Sequence, residues 1–208
     1  MSKTLKRYTQ LPFLIHMLET RELALLSPSS WDDRNDAYYL ERYQQYNKFA
    51  SVFVLCLTEA STTYHHWKIF AESTSGVCIE FVRERFISWA TKKGIRHGSV
   101  QYLSLRKAKA EPPTAETLPF RKRHAFEDEK EFRLLYVSHD PGGPIKTFPL
   151  DLQTIECIKL NPWLPEDVFK SVRESIHRIP GCESLSVEQS HLLTNQEWAN
   201  MGDGDAQG

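Results

Sequence analysis

No stretch of about 18 consecutive apolar residues occurs in this chain of 208 residues, so no helical membrane span is expected. The opening MSKTLKRYTQ lacks the apolar run of a secretory signal. An excess of charge of either sign is missing too. The 26 Lys and Arg stand against 27 Asp and Glu, a net charge of −1, which excludes a whole-molecule field for gathering nucleic acid or anionic lipid. A local basic patch stays open. Cysteine is scarce: Cys56, Cys78, Cys157 and Cys182 form no C-x-x-C pair. Three of them sit in apolar strand-like runs, which points to reduced core thiols in a cytoplasmic protein rather than disulfides or a zinc site. The P-loop, G-x-G-x-x-G, H-E-x-x-H and G-x-S-x-G patterns are all absent. The common nucleotide folds, zinc proteases and serine hydrolases lose their usual support.

What is present is a core. The chain is 40% hydrophobic and 12% aromatic, and 25% charged, ordinary values for a globular domain. Continuous or alternating apolar runs predict strands at 51–57, 76–82 and 131–138, placed together in one central sheet. Shorter strand-like runs lie at 7–9, 23–31, 99–105, 155–160 and near 185–190. Helical spacing appears in LPFLIHMLETREL, RNDAYYLERYQQYNKFA, TTYHHWKIFAES, RERFISWATKKG and NPWLPEDVFKSVRESIHRI. The turn DPGGP before IKTFPL suggests a hairpin with the strand that precedes it. RKAKAEPPTAETLP reads as loop. Together these predict one α+β domain over 1–194, a mixed, mainly antiparallel sheet of about seven or eight strands with flanking helices. Residues 195–208 are expected to be a flexible tail. The predicted core includes Trp67, Phe70, Val77, Ile79, Phe132 and Leu134.

The segment FEDEKEFRLLYVS, 126–138, carries charge into this core. In a strand, alternate residues share a face, so Glu129, Glu131 and Arg133 lie together, opposite Phe132, Leu134 and Tyr136. A carboxylate removed from water is costly unless paired. Two readings follow: a salt-bridged strand face with Arg133 as partner, or a cleft lined by Glu129 and Glu131 that holds a polar ligand. SPSSWDDRND gathers Asp32, Asp33 and Asp36 around Trp31. Ser30 or Asp32 as helix N-cap, with an acid near the helix dipole, accounts for some of these groups. Metal or ribose hydroxyls would account for the rest. His65 and His66 are adjacent, about 100° apart on a helix, which makes a poor metal pair. Glu80 shares a face with Cys78. The basic RKRH, 121–124, suits a solvated surface better than a phosphate site.

Read in order, KRYT, LLSPSSWDDRND, VLCLTE, HHWKIFAESTSGVCIEF, VQY and FEDEKEFRLL resemble a widespread, largely uncharacterised bacterial and phage family. That family has a Tyr-rich first strand, a phenylalanine–asparagine–aspartate–proline turn, a C-x-S-E strand, a Trp-centred helix before G-x-C-I-x-F, and a late E-x-E-W-R strand. Asp33, Trp67, Gly76, Glu80, Glu131 and Arg133 are retained. The chain departs at the turn, where Asp32, Asp33 and Arg34 stand for asparagine, aspartate and proline. It departs again with Thr58 for serine, Phe70 for tyrosine and Phe132 for tryptophan.

More loosely, the chain is similar to ADP-ribosyltransferases, which carry an Arg or His on an early strand, a Ser-rich or Tyr-bearing second strand and a late E-x-E. The resemblance implies an NAD-dependent enzyme, in the manner of a toxin or phage-defence effector, acting on a protein or nucleic-acid acceptor. It implies Glu131 and Glu129 as catalytic residues. Arg7, Tyr8, Ser27, Ser30, Trp31 and Asp33 would bind NAD, with no metal. Because the first strand is short, Lys6, Arg7 or Tyr8 is the inward residue. The alternatives are a non-enzymatic module that binds a nucleotide or protein, and a metal-dependent nuclease built on Asp32, Asp33, Asp36 and Glu80.

Overall fold

The structure, a computed structural model, describes residues 3–194 and 196–202. The chain opens with β1 (Thr4–Gln10), α1 (Leu11–Thr20) and β2 (Glu22–Leu26). A 3-10 turn at 28–30 leads into α2 (Arg34–Asn47), β3 (Ser51–Thr58), α3 (Tyr64–Phe70), β4 (Gly76–Val82) and α4 (Arg83–Lys92). Short elements follow: β5 (Arg96–Ser99), β6 (Gln101–Leu103), α5 (Leu105–Ala110) and β7 (Arg121–Arg123). After a 3-10 stretch at 124–129 come β8 (Glu131–Ser138), β9 (Ile145–Pro149), β10 (Ile155–Leu160), α6 (Glu166–His177), β11 (Val187–Gln189) and α7 (Gln196–Gly202).

The predicted central strands are in one sheet. β3 is its hub. One edge pairs along its whole length with β8, from Ser51↔Ser138 to Thr58↔Glu131, and β5 extends the sheet beyond β8. The other edge is shared. β2 meets it at Leu26↔Val54, and β1 meets it at one position only, Lys6↔Thr58. β1 continues into β4, β10 and β11, and β2 into β9. Every pairing in this sheet is antiparallel except β10 with β11, and β6 and β7 form a separate parallel pair. No helix among the described residues is long and apolar enough to cross a membrane.

β3 is a continuous apolar run because both of its faces are covered. On one face Phe53, Leu55 and Leu57 join Leu5, Ile79, Phe132 and Leu134 in the main core, closed by Leu14 and Leu18 of α1, Phe86 and Ala90 of α4, and Ile176 of α6. The opposite face holds two smaller clusters. α2 brings Leu40 and Tyr43 onto Val52, Val54 and Leu135, while Trp67 and Ala71 from α3 and its end pack on Cys78 of β4. That close approach requires a glycine. A Cβ at Gly76 would run into the Ala71 carbonyl.

Several local expectations change. DPGGP does not close a hairpin: β9 pairs with β2, across the sheet from β8. The single strand expected at 99–105 is broken into β5 and β6, and the stretch expected as loop begins with α5. Phe70 is not core but 40% exposed, while Trp67 is fully buried. Cys56 is an exposed thiol, unlike the buried Cys78, Cys157 and Cys182. Of the expected tail, 196–202 form α7; residues 195 and 203–208 lie outside the described residues.

Candidate functional site

The two small clusters leave a gap between them, where β1 and β3 pair at a single ladder position. A cavity of about 520 Å3 opens there. β1 contributes Lys6 and Tyr8 to it, and β3 contributes Cys56, Leu57 and Thr58. The loop into α2 and its first turn bring Trp31, Asp32, Asp33 and Asp36. α3 adds Phe70, and the segment from β7 to β8 adds Lys122, Phe126, Glu129 and Glu131. Both expected catalytic carboxylates are therefore in its wall, with Tyr8, Trp31 and Asp33.

Arg7 and Ser27, two of the expected positions, do not line that cavity. Alternation along β1 sends Lys6 and Tyr8 to the cavity side and Leu5 to the main core, and Arg7 shares parity with Leu5. Lys6 is the buried cation that faces the cavity, its Nζ donating to the Ala60 carbonyl at 3.0 Å. Arg7 is half-buried, and burial lowers its pKa to about 10. Ser27 is used locally: its Oγ caps the 3-10 turn by accepting from the Ser29 amide. Ser30 ends that turn.

The carboxylates belong to one ionic network around Arg133, whose side chain is fully buried. Its Nε donates to Glu131 Oε1 at 2.7 Å and its Nη2 to Glu131 Oε2 at 2.9 Å. The same guanidinium grips Asp36, Nη1 to Oδ1 at 3.0 Å and Nη2 to Oδ2 at 2.7 Å, and reaches the Pro119 carbonyl at 2.8 Å. Trp31 lies over it, 5.4 Å from the guanidinium carbon to the ring centre. Lys122 is the second cation. Its Nζ stands 2.6 Å from Glu129, 3.3 Å from Glu131 and 3.7 Å from Asp36. RKRH is thus not wholly a solvated surface, because β7 turns Lys122 inward.

Local structure explains why these groups meet. Asp33, rather than Ser30 or Asp32, is the N-cap of α2. Its Oδ1 accepts from the amides of Asn35 and Asp36, so the helix starts at the place that aims Asp36 at Arg133. Glu129 is not on the strand, as its spacing implied. It ends the 3-10 stretch, and Lys130 with φ 41° turns the chain into β8. The Thr58 hydroxyl donates to the Glu129 carbonyl at 2.5 Å, and the Glu131 amide donates to the Tyr102 hydroxyl at 2.8 Å. Both ends of the E-x-E segment are pinned.

The two glutamates differ electrostatically. Burial works to raise the Glu131 carboxyl, but Arg133 and Lys122 overcome it and hold its pKa at about 2, so it is an anion at neutral pH. Burial raises Glu129, with Lys122 pulling the other way. Burial also pushes up Asp36 against Arg133. The opposite side of the cavity is aromatic. Tyr8 lies at 5.8 Å from His66, at a shallow angle, and 6.3 Å from Phe70, with Trp67 edge-on behind at 5.3 Å. Asp33 Oδ2 is buried with no hydrogen-bond partner. Among the described residues, no three His, Cys, Asp or Glu side chains are placed to hold a metal ion. Asp36, expected only as a possible metal ligand or dipole partner, is instead a clamp on Arg133.

No protein-family model matches the chain, and no curated protein does. Among solved structures, it is similar to DarT of Thermus sp. 2.9 in complex with ADP-ribosylated ssDNA, with a TM-score of 0.48 and 13% identity, over 90% of this chain and 94% of that one. It is similar also to the same protein in complex with NAD+, with a TM-score of 0.48 and 12% identity, over 90% and 95%.

Proposed function

We propose that this chain is an NAD-dependent ADP-ribosyltransferase-like enzyme that breaks the nicotinamide–ribose bond of NAD and passes ADP-ribose to a protein or nucleic-acid acceptor. The observation that carries this reading is a carboxylate, Glu131, ion-paired to Arg133 and Lys122 in the wall of a roomy cavity whose other side is aromatic. Breaking the bond sends its electron pair to the pyridinium nitrogen and leaves a cation on the ribose. A fixed anion beside that cation stabilises it where it forms. Tyr8 and Phe70 offer ring faces for the nicotinamide. The unpartnered Asp33 Oδ2 accepts a ribose hydroxyl, and Lys6, in place of Arg7, faces the pyrophosphate. Glu129, with its raised pKa, takes the proton of the attacking acceptor as the new bond to ribose C1′ forms.

The test is release of nicotinamide from NAD by the purified chain in the presence of a chelator, followed by transfer of labelled ADP-ribose to components of a lysate. Binding without cleavage supports the non-enzymatic module instead. Activity on nucleic acid that appears only with a divalent metal supports the nuclease.

A further inference from the structure

In the function proposed above Glu131 faces the ribose, where a hydroxyl can also reach it, yet one of its oxygens, Oε2, already accepts from two cations. A carboxylate offers about four lone-pair sites. Arg133 Nε stands at Oε1, and Arg133 Nη2 and Lys122 Nζ both stand at Oε2. The Arg133 contacts are short and rigid, and Asp36 and Pro119 hold that guanidinium from behind. The Lys122 contact differs. At 3.3 Å it is the longest of the hydrogen bonds to this carboxylate, and the same ammonium has a much shorter one, 2.6 Å, to Glu129. Lys122 also lies on β7, whose only pairing is with the short β6 outside the main sheet. Its side chain is only 10% exposed, with the ammonium 4.8 Å from the Phe126 ring centre, so the charge is inside the wall rather than in solvent.

We propose that Lys122 is a displaceable counter-ion of Glu131: it covers Oε2 of the carboxylate and withdraws to Glu129 when a ligand hydroxyl takes its place there. This rests on the function proposed above. The ionic arithmetic favours withdrawal. Asp36, Glu129 and Glu131 supply three negative charges, and Arg133 and Lys122 two positive ones. The cationic pyridinium ring of NAD fits the remaining deficit, while its pyrophosphate lies elsewhere. A lysine held at Glu131 during bond breaking would oppose the positive charge that forms on the ribose. Moving it onto Glu129 removes that opposition without leaving an ammonium unpaired. Lys122 acts here through Glu131, as a positioning residue, and its cost falls on substrate binding.

The test is the steady-state kinetics of nicotinamide release from NAD by the wild-type chain, Lys122→Met and Lys122→Arg. Methionine fills the space of the lysine stem without its charge. Arginine keeps the charge and adds a planar fork that grips a carboxylate at two points, so it is harder to displace. The expected order is a KM lowered by about tenfold in Lys122→Met, with kcat no lower than wild type, and a KM raised in Lys122→Arg. An unchanged or raised KM in a folded Lys122→Met protein overturns the proposal, as does Arg preserving activity that Met loses. Should Lys122→Met fail to fold, Lys122→Arg decides: a raised KM supports displacement, and a KM equal to or below wild type overturns it. A wild-type chain that neither binds nor cleaves NAD overturns the function itself, an outcome distinct from wild-type cleavage with the reverse order of variants.

Discussion

Glu131 keeps its charge in a place where burial alone would remove it, and that is its measurable property. With its pKa held at about 2 against an ordinary 4.5, the carboxylate stabilises the fold fully above about pH 4.5, and this contribution is lost as the pH falls through about 2. A shift of this size corresponds to about 3 kcal/mol. Acid unfolding is therefore expected to steepen below pH 4.5, and Glu131→Gln is expected to flatten that limb; circular dichroism along an acid titration of both proteins checks it. The same substitution tests chemistry. Gln keeps the shape and loses the anion, so nicotinamide release is expected to fall by about 100- to 1,000-fold in a protein that still folds, since Asp36 continues to hold Arg133. Retained turnover in purified Glu131→Gln would confine the residue to a structural ion pair. Glu129 works in the other direction. Its raised pKa puts the acid limb of transfer above the ordinary carboxylate range, and Glu129→Gln is expected to abolish that limb.

At the scale of elements, α3 connects packing to the cavity. Trp67 is fully buried and backs Tyr8, so Trp67→Ala is expected to cost about 3–5 kcal/mol. At about 2–4 °C per kcal/mol in a chain of this size, the melting temperature should fall by roughly 6–20 °C; an unchanged melting curve would show that the indole contributes little. The elements also show what could be read in advance. β3, β4 and β8 were legible because their apolar runs are long, and Asp33, Trp31, Glu129 and Glu131 because charge or a large ring sat beside such runs. The inward choice on β1 was not, since one residue of parity exchanges Lys6 and Tyr8 for Arg7 and the strand's apolar pattern is too short to fix it. Lys122 was hidden by its basic neighbours: a three-residue strand has no visible period, and its partners Glu129, Glu131 and Asp36 lie seven, nine and 86 positions away. β9 was misassigned for a related reason. A turn signal marks where the chain bends, not which strand it meets, and β2 lies more than a hundred residues upstream.

The whole molecule is organised so that its cavity lies where the ladder between two parts of the sheet is short, on the face opposite the core they share. The β1–β4–β10–β11 limb pairs with β3 at one ladder position, and the cavity spans that seam with side chains from β1, β3, β8, α2, α3 and β7. A ligand seated there bonds to both sides of the seam, so its binding energy adds to the stability of the whole domain rather than of one loop. At a free NAD concentration of 100 times the dissociation constant the gain is about 2.7 kcal/mol. For a chain of this length that corresponds to a rise in melting temperature of roughly 5–10 °C. The rise is expected with a chelator present, because Asp36 and Glu131 are neutralised by Arg133 and Lys122 and need no metal to be held together. Glu131→Gln should shrink the shift by weakening the grip on the ribose, whereas a substitution on the far edge of the sheet, such as Glu188→Gln on β11, should leave the shift intact. Calorimetry of the three proteins with NAD, ADP-ribose and chelator is the measurement. A shift that appears only when a divalent cation is added would transfer the cavity to metal-dependent chemistry, and no shift with any of these ligands would mean that the seam is closed by something other than a dinucleotide.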